Sequence, residues 1–190
     1  MTDSGDKADS GDKAGVLGFW FGPGMAERWF KKDPAFDAEV LARLGALHDR
    51  AAAGELDDWR DSAQGCLALV VLLDQVPRNL FRGQARAFAT DAAARALASH
   101  AIERGFDQES PQGRRMFLYL PLEHSESLDD QETCVRLIAT LDENPDWHDW
   151  AVSHRDIIAR FGRFPHRNAA LGRESTPEER AFLGQPDSPF

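Results

Sequence analysis

Cysteine is scarce in this chain: Cys66 and Cys134 are the only two among 190 residues. Neither belongs to a Cys-x-x-Cys pair, so a thiolate zinc cluster and a disulfide framework are both excluded. Both lie in apolar helical patterns, the usual setting of buried, reduced thiols. Long apolar runs are missing as well. No stretch reaches the roughly 20 residues of a membrane-spanning helix, and no signal-peptide core opens the chain. The expectation is a cytoplasmic protein with no membrane partner. Positive charge is also short: 22 Lys and Arg stand against 32 Asp and Glu, for a net charge of -10. Non-specific phosphate binding needs a basic surface, so no nucleic-acid partner is expected.

What is present is globular in kind, with 42% apolar and 28% charged residues. SGDKAD followed by SGDKAG, within residues 1–15, is a polar duplication with nothing to bury. It reads as a disordered tail. Residues 16–184 read as a single domain and 185–190 as a loose end. Start and stop signals divide the domain into roughly seven helices. Asp33-Pro34 opens the first and Gly54 closes it. Ser62 starts a second through CLALVVLLDQ, which Pro77 stops. Thr90-Asp91 caps a third that ends at Gly105. Ser110-Pro111 opens a fourth that Pro121 kinks or ends. Ser127 with Asp130 imitates a capping box before CVRLIATL. Asn144-Pro145 opens the sixth, closed by Gly162, and Thr176-Pro177 the last. No alternating strand pattern stands out, so the chain reads as all-α, a compact helical bundle. Gly22-Pro23-Gly24 lacks a preceding strand, which leaves a phosphate-loop reading weak.

Polar groups recur late on apolar faces. In the helix after Pro145, Trp147, Trp150, Ala151, Ile157, Ile158 and Phe161 share one stripe with His154, while Asp156 points away. In the helix after Ser62, Leu67, Val70 and Val71 lead to Asp74. An Asp near a helix C-terminus is opposed by the dipole and, when buried, needs a cation or donor. Met116, Phe117 and Leu120 lead to Glu123 and His124. The simplest arrangement gathers Asp74, Glu123, His124 and His154 at one end of the bundle as a candidate catalytic group. Around it lie Arg78, Asn79, Arg82, Arg160, Arg163, His166, Arg167 and Asn168. The guanidinium fork suits a carboxylate or phosphate, so these are candidate ligands for a small anionic molecule or an acidic peptide. The alternative role for the arginines is internal: capping helix ends and tying down loops.

The segments LLDQVPRNLFRGQARAFATD, FLYLPLEHSESL and HRDIIARFGRFPHRNAALGR resemble the signature blocks of a bacterial family, domain of unknown function 924. FWFG, the downstream WF, DPAFD and GEL match in order, so the resemblance covers nearly everything after the polar tail. It departs at Val76, where an aromatic is more usual, and at Ser127, where an acid often stands. Neither is an ionisable site position. The resemblance implies a fold similar to tetratricopeptide-like α-superhelices and supplies no activity.

Three functional classes remain open from the residues. Glu123, His124, Glu126 and His154 offer metal-ligand chemistry, but the chain has no HExxH and no doubled Glu-x-x-His, so no metal site is assigned. No motif names a cofactor. Acid–base catalysis suits His124 or His154 beside a carboxylate. Ser125 is not in a Gly-x-Ser-x-Gly elbow, which leaves a nucleophilic triad without support. A peptide-binding groove is the second class, with Trp20, Phe21, Trp29, Phe30, Trp147 and Trp150 as candidate contacts. The third is a buried ion network that only locks helix packing.

Overall fold

The computed structural model describes residues 5–185, with side chains from residue 12 onward. Its helices are α1 (Gly5–Trp20), α2 (Pro34–Ala52), α3 (Ala63–Val70), α4 (Val76–Leu80), α5 (Asp91–Glu103), α6 (Gln112–Glu123), α7 (Leu128–Ile138), α8 (Asp146–Phe161) and α9 (Pro177–Leu183). Short 3-10 turns join several of them, and no strand occurs among the described residues. The all-α architecture is therefore as the sequence indicates.

The added helix is α1, which enters the stretch expected to be tail. Val16, Leu17 and Trp20 are buried at its C-terminal end. Once those anchors hold a turn, each further residue extends an existing helix at little cost. Residues 1–4 and 186–190 lie outside the described residues.

Most helix starts follow the capping chemistry in the sequence. The Asp33 side chain accepts from the Ala35 amide, with Pro34 at the first helical position. Thr176 and Glu179 form a full capping box on α9. Gly162 ends α8 at φ +68°, a left-handed position that favours glycine. Thr90 behaves differently from its expected capping role. Its hydroxyl donates instead to the Leu73 carbonyl at 2.5 Å.

That bond belongs to the main departure from the sequence reading. Pro77 was expected to stop the helix begun at Ser62. The chain instead widens into a π-helical stretch, Val71–Gln75, and resumes as α4 through Pro77. Proline lacks an N–H and its ring crowds the carbonyl of the fourth residue before it, here Leu73. Side chains satisfy the carbonyls of this stretch. His48 Nδ1 donates to Leu72 O at 2.8 Å, Thr90 to Leu73 O, and Arg78 Nη1 to Asp74 O at 2.5 Å. π-bulges of this kind concentrate at functional sites. Pro121 likewise does not end its helix, since α6 continues through it to Glu123.

α3 is buried all round except at Gln64, and it packs against α1, α5 and α6. A helix apolar on every side belongs at the centre of a core. Gly65 permits its entry, because a Cβ there would lie 1.8 Å from the Trp59 carbonyl oxygen. Backbone cannot rotate out of the way as a side chain can. Gly65→Ala is therefore expected to cost about 1–3 kcal/mol, read from urea denaturation, and an unchanged midpoint would contradict this packing. α7 packs on both α6 and α8, which brings the C-terminal end of α6 against the middle of α8. Cys66 and Cys134 are buried and free. Burial pushes the Cys66 thiol up to about 11 and Cys134 well above its usual value, so both stay protonated.

Candidate functional site

The π-helical stretch carries Asp74, which is completely buried. His124 Nδ1 donates to both of its carboxylate oxygens, at 2.9 and 3.0 Å. Gln75 Nε2 donates to Asp74 Oδ2 at 2.6 Å, and Arg78 Nη1 lies 3.1 Å from Oδ1. Burial opposes ionisation of Asp74, but Arg78 and His124 beside it hold the carboxyl below the usual carboxylate range. Burial and the Arg78 charge push His124 down to about 4, against the opposite pull of Asp74. At neutral pH the pair is thus a carboxylate and a neutral imidazole. A carboxylate only accepts, so the imidazole proton sits on Nδ1 and Nε2 is the acceptor.

Glu123 and His124 close α6. The carbonyls freed at that end are met by side chains from elsewhere. Gln131 Nε2 donates to Glu123 O at 2.5 Å and to Ser125 O at 2.7 Å, and Arg167 Nη2 donates to His124 O at 2.9 Å. Among the described residues the Glu123 carboxyl pairs with no Lys or Arg. Burial, and the charge of Asp74, push it up to about 8, so it is protonated at neutral pH. Its oxygen Oε1 lies 3.4 Å from His154 Nδ1. That nitrogen donates to the Trp150 carbonyl at 2.9 Å. Burial holds His154 down at about 4, despite the Trp150 carbonyl. The His124 and His154 rings are 6.4 Å apart.

These groups line a cavity of about 350 Å³. Glu123, His124 and His154 form its polar end, and Phe30, Met116, Leu120, Ile138, Trp147 and Trp150 the rest. Phe30 and Trp150 are 66% and 50% exposed, which places them at the mouth. The volume falls at the small end of the ligand-pocket range, about 300–1,000 Å³.

The four residues assigned together from the sequence, Asp74, Glu123, His124 and His154, do meet. Arg78 and Arg167 stand behind them. Both pair with Asp91, Arg78 Nη2 at 3.1 Å and Arg167 Nη1 at 3.2 Å. Burial, with the neighbouring Arg78 charge, lowers Arg167 to about 10. His166 belongs to the same cluster, with its ring 5.5 Å from Phe164. Burial and the Arg167 charge push it down to about 3.

The remaining candidates lie elsewhere. Arg82 donates to both oxygens of Asp37, and Asn79 donates to the same carboxylate. Arg160 pairs with Glu178. Arg163 and Asn168 both donate to Glu179, which ties α9 to the end of α8. Every arginine assigned to an anionic ligand thus has a carboxylate partner within the protein. The residues lining the cavity include no arginine. Among the described residues no three His, Cys, Asp or Glu side chains are placed to hold a metal ion.

Sequence reasoning missed Asp91 and Glu126. Asp91, in the first turn of α5, resembles an ordinary helix-start acid and gives no sign that two arginines share it. Glu126 accepts from Arg173 through both oxygens, at 2.7 and 2.9 Å, and from the Phe164 amide at 2.8 Å. Its place in the LEHSE segment suggested a metal ligand instead.

No helix among the described residues is long and apolar enough to cross a membrane. No curated protein matches the chain. A solved structure of a protein of unknown function from Agrobacterium tumefaciens is similar, at 45% identity and a TM-score of 0.86. The likeness covers 92% of this chain and 98% of that one. A family model described as a bacterial protein of unknown function, DUF924, matches residues 16–187. With most of its length so matched, the chain belongs to this bacterial family.

Proposed function

We propose that the cavity between α6 and α8 binds a small molecule and that its polar end performs proton transfer on it. The carrying observation is the Asp74–His124 pair set beside a protonated Glu123 at the closed end of an apolar cavity. Asp74 fixes the His124 tautomer and orientation, which leaves Nε2 as a general base. Glu123, kept neutral by its surroundings, is a general acid. Two groups with opposite proton demand, driven apart by environment, constitute the pattern of an acid–base site. In this reading the fold is tetratricopeptide-like, with α6, α7 and α8 packing in succession to form the cavity wall, and the protein is cytoplasmic.

A thermal-shift screen of small metabolites on wild type and Trp150→Ala tests it. Trp150 is half exposed at the mouth, so its loss spares the core. A ligand at about 100 times its Kd adds about 2.7 kcal/mol to the folded state, a rise of several degrees. Hits should weaken in Trp150→Ala and in Glu123→Gln. Hits that persist in both place binding outside this cavity.

A purely structural role has its own support in the outer half of the cluster. Glu126 is held by Arg173 and the Phe164 amide, and Glu179 by Arg163, Asn168 and the Thr176 amide. These groups are held by protein partners and are not among the residues that line the cavity. They fasten the C-terminal segment, and the ligand site is confined to the inner half.

A further inference from the structure

Resting on the cavity reading above, we infer that the ligand is an uncharged molecule with an apolar, ring-sized body and a hydrogen-bond-donating head such as a hydroxyl, and that the carboxylate of the same shape is rejected. The donors and acceptors at the polar end carry this. His124 spends its only N–H on Asp74, at 2.9 Å, so the ring can act on a ligand only as an acceptor through Nε2. His154 spends its Nδ1 proton on the Trp150 carbonyl, also at 2.9 Å. Glu123 offers one O–H and one carbonyl oxygen. Its elevated proton affinity keeps that O–H in place at neutral pH.

Among Glu123, His124 and His154, a carboxylate or phosphate at the polar end finds one donor, the Glu123 O–H, and faces the lone pair of His124. No arginine stands among the lining residues, and Arg78 and Arg167 are held behind by Asp74 and Asp91. An alcohol satisfies the same end without any change of charge. Its O–H donates to His124 Nε2, and its oxygen accepts from Glu123. Phe30, Trp147 and Trp150, with Met116, Leu120 and Ile138, then cover the apolar body. This head group is also the one whose proton an Asp-held imidazole is placed to take.

The test uses the full chain and three probes of matched shape: 3-phenylpropan-1-ol, its methyl ether and 3-phenylpropanoate. Each is titrated calorimetrically near neutral pH, up to its solubility limit. The alcohol should bind at least about tenfold tighter than either other probe, since each leaves a buried group unmatched. Glu123→Gln replaces an acid that an anion must not ionise with a neutral amide that donates. In that variant the gap between alcohol and carboxylate should shrink towards parity. Binding of the carboxylate or the ether as tight as the alcohol in wild type, lost in Trp150→Ala, overturns the head-group inference and leaves the cavity reading standing. Failure of all three probes to bind, or binding unchanged in Trp150→Ala, overturns both.

Discussion

Asp74→Ala is expected to lose about 3–5 kcal/mol of folding stability, the cost of breaking a buried ion pair from one side. Asp74 is fully buried, and it receives His124, Gln75 and Arg78 at once. Removing its carboxylate leaves the Arg78 charge with Asp91 alone and leaves the His124 Nδ1–H without an acceptor. It also withdraws the negative charge that adds to burial in raising Glu123. The melting temperature should fall by roughly 10 °C for a chain of this size. Asp37→Ala is the control. Asp37 also holds an arginine and an asparagine, but at a partly open position, and exposed pairs are worth about 0–1 kcal/mol. Equal losses in the two variants would show that Asp74 is no more than one ion pair among many.

The comparison of Asp74 with Asp37 also shows what could be read in the sequence. Asp74 was legible because it continues an apolar stripe, and an acid on a buried face needs partners wherever the fold puts it. His154 was legible for the same reason, with Asp156 correctly on the open side at 63% side-chain exposure. The arginines were not. Their long side chains reach in several directions, and no periodicity states whether a carboxylate waits at the end. Arg82 crosses to Asp37, 45 residues earlier in the chain. Arg160 and Arg163 reach across to α9. The π-helical stretch was hidden because Pro77 carries only a local veto, whereas the carbonyls in it are satisfied by His48 and Thr90 from elsewhere in the chain. The cavity was half legible. Trp147 and Trp150 read as a core stripe, and a stripe does not reveal that its neighbours stop short of filling the space beside it.

Stability should peak near pH 7 and fall on both sides, steeply towards acid. His124, His154 and His166 are held at about 4, 4 and 3 in the folded chain, below the 6.5 of a free imidazole. Their contribution is complete above about pH 6.5 and is lost as pH falls through about 4. Glu123 runs the other way. Its folded value of about 8 lies above the ordinary 4.5, so its contribution is complete below about 4.5 and is lost as pH rises through 8. Between about pH 5 and 6 the unfolded chain therefore binds three protons that the folded chain lacks, and the folded chain keeps one that the unfolded chain has lost. The difference of two protons gives a rise of up to about 2.7 kcal/mol per pH unit. Above about pH 7 the Glu123 effect outweighs what remains of the histidine effect, and stability falls by about 0.5 kcal/mol per unit. Charges spread over the surface also respond to pH, but they are common to wild type and Glu123→Gln. Urea midpoints of the two proteins from pH 5 to 8 separate the effects. Glu123→Gln should abolish the decline above about pH 7 and steepen the acid side by the equivalent of one proton. A decline of the same slope in both proteins would mean that Glu123 is ionised at neutral pH. The cavity would then have lost its general acid and the donor on which its preference for an uncharged ligand depends.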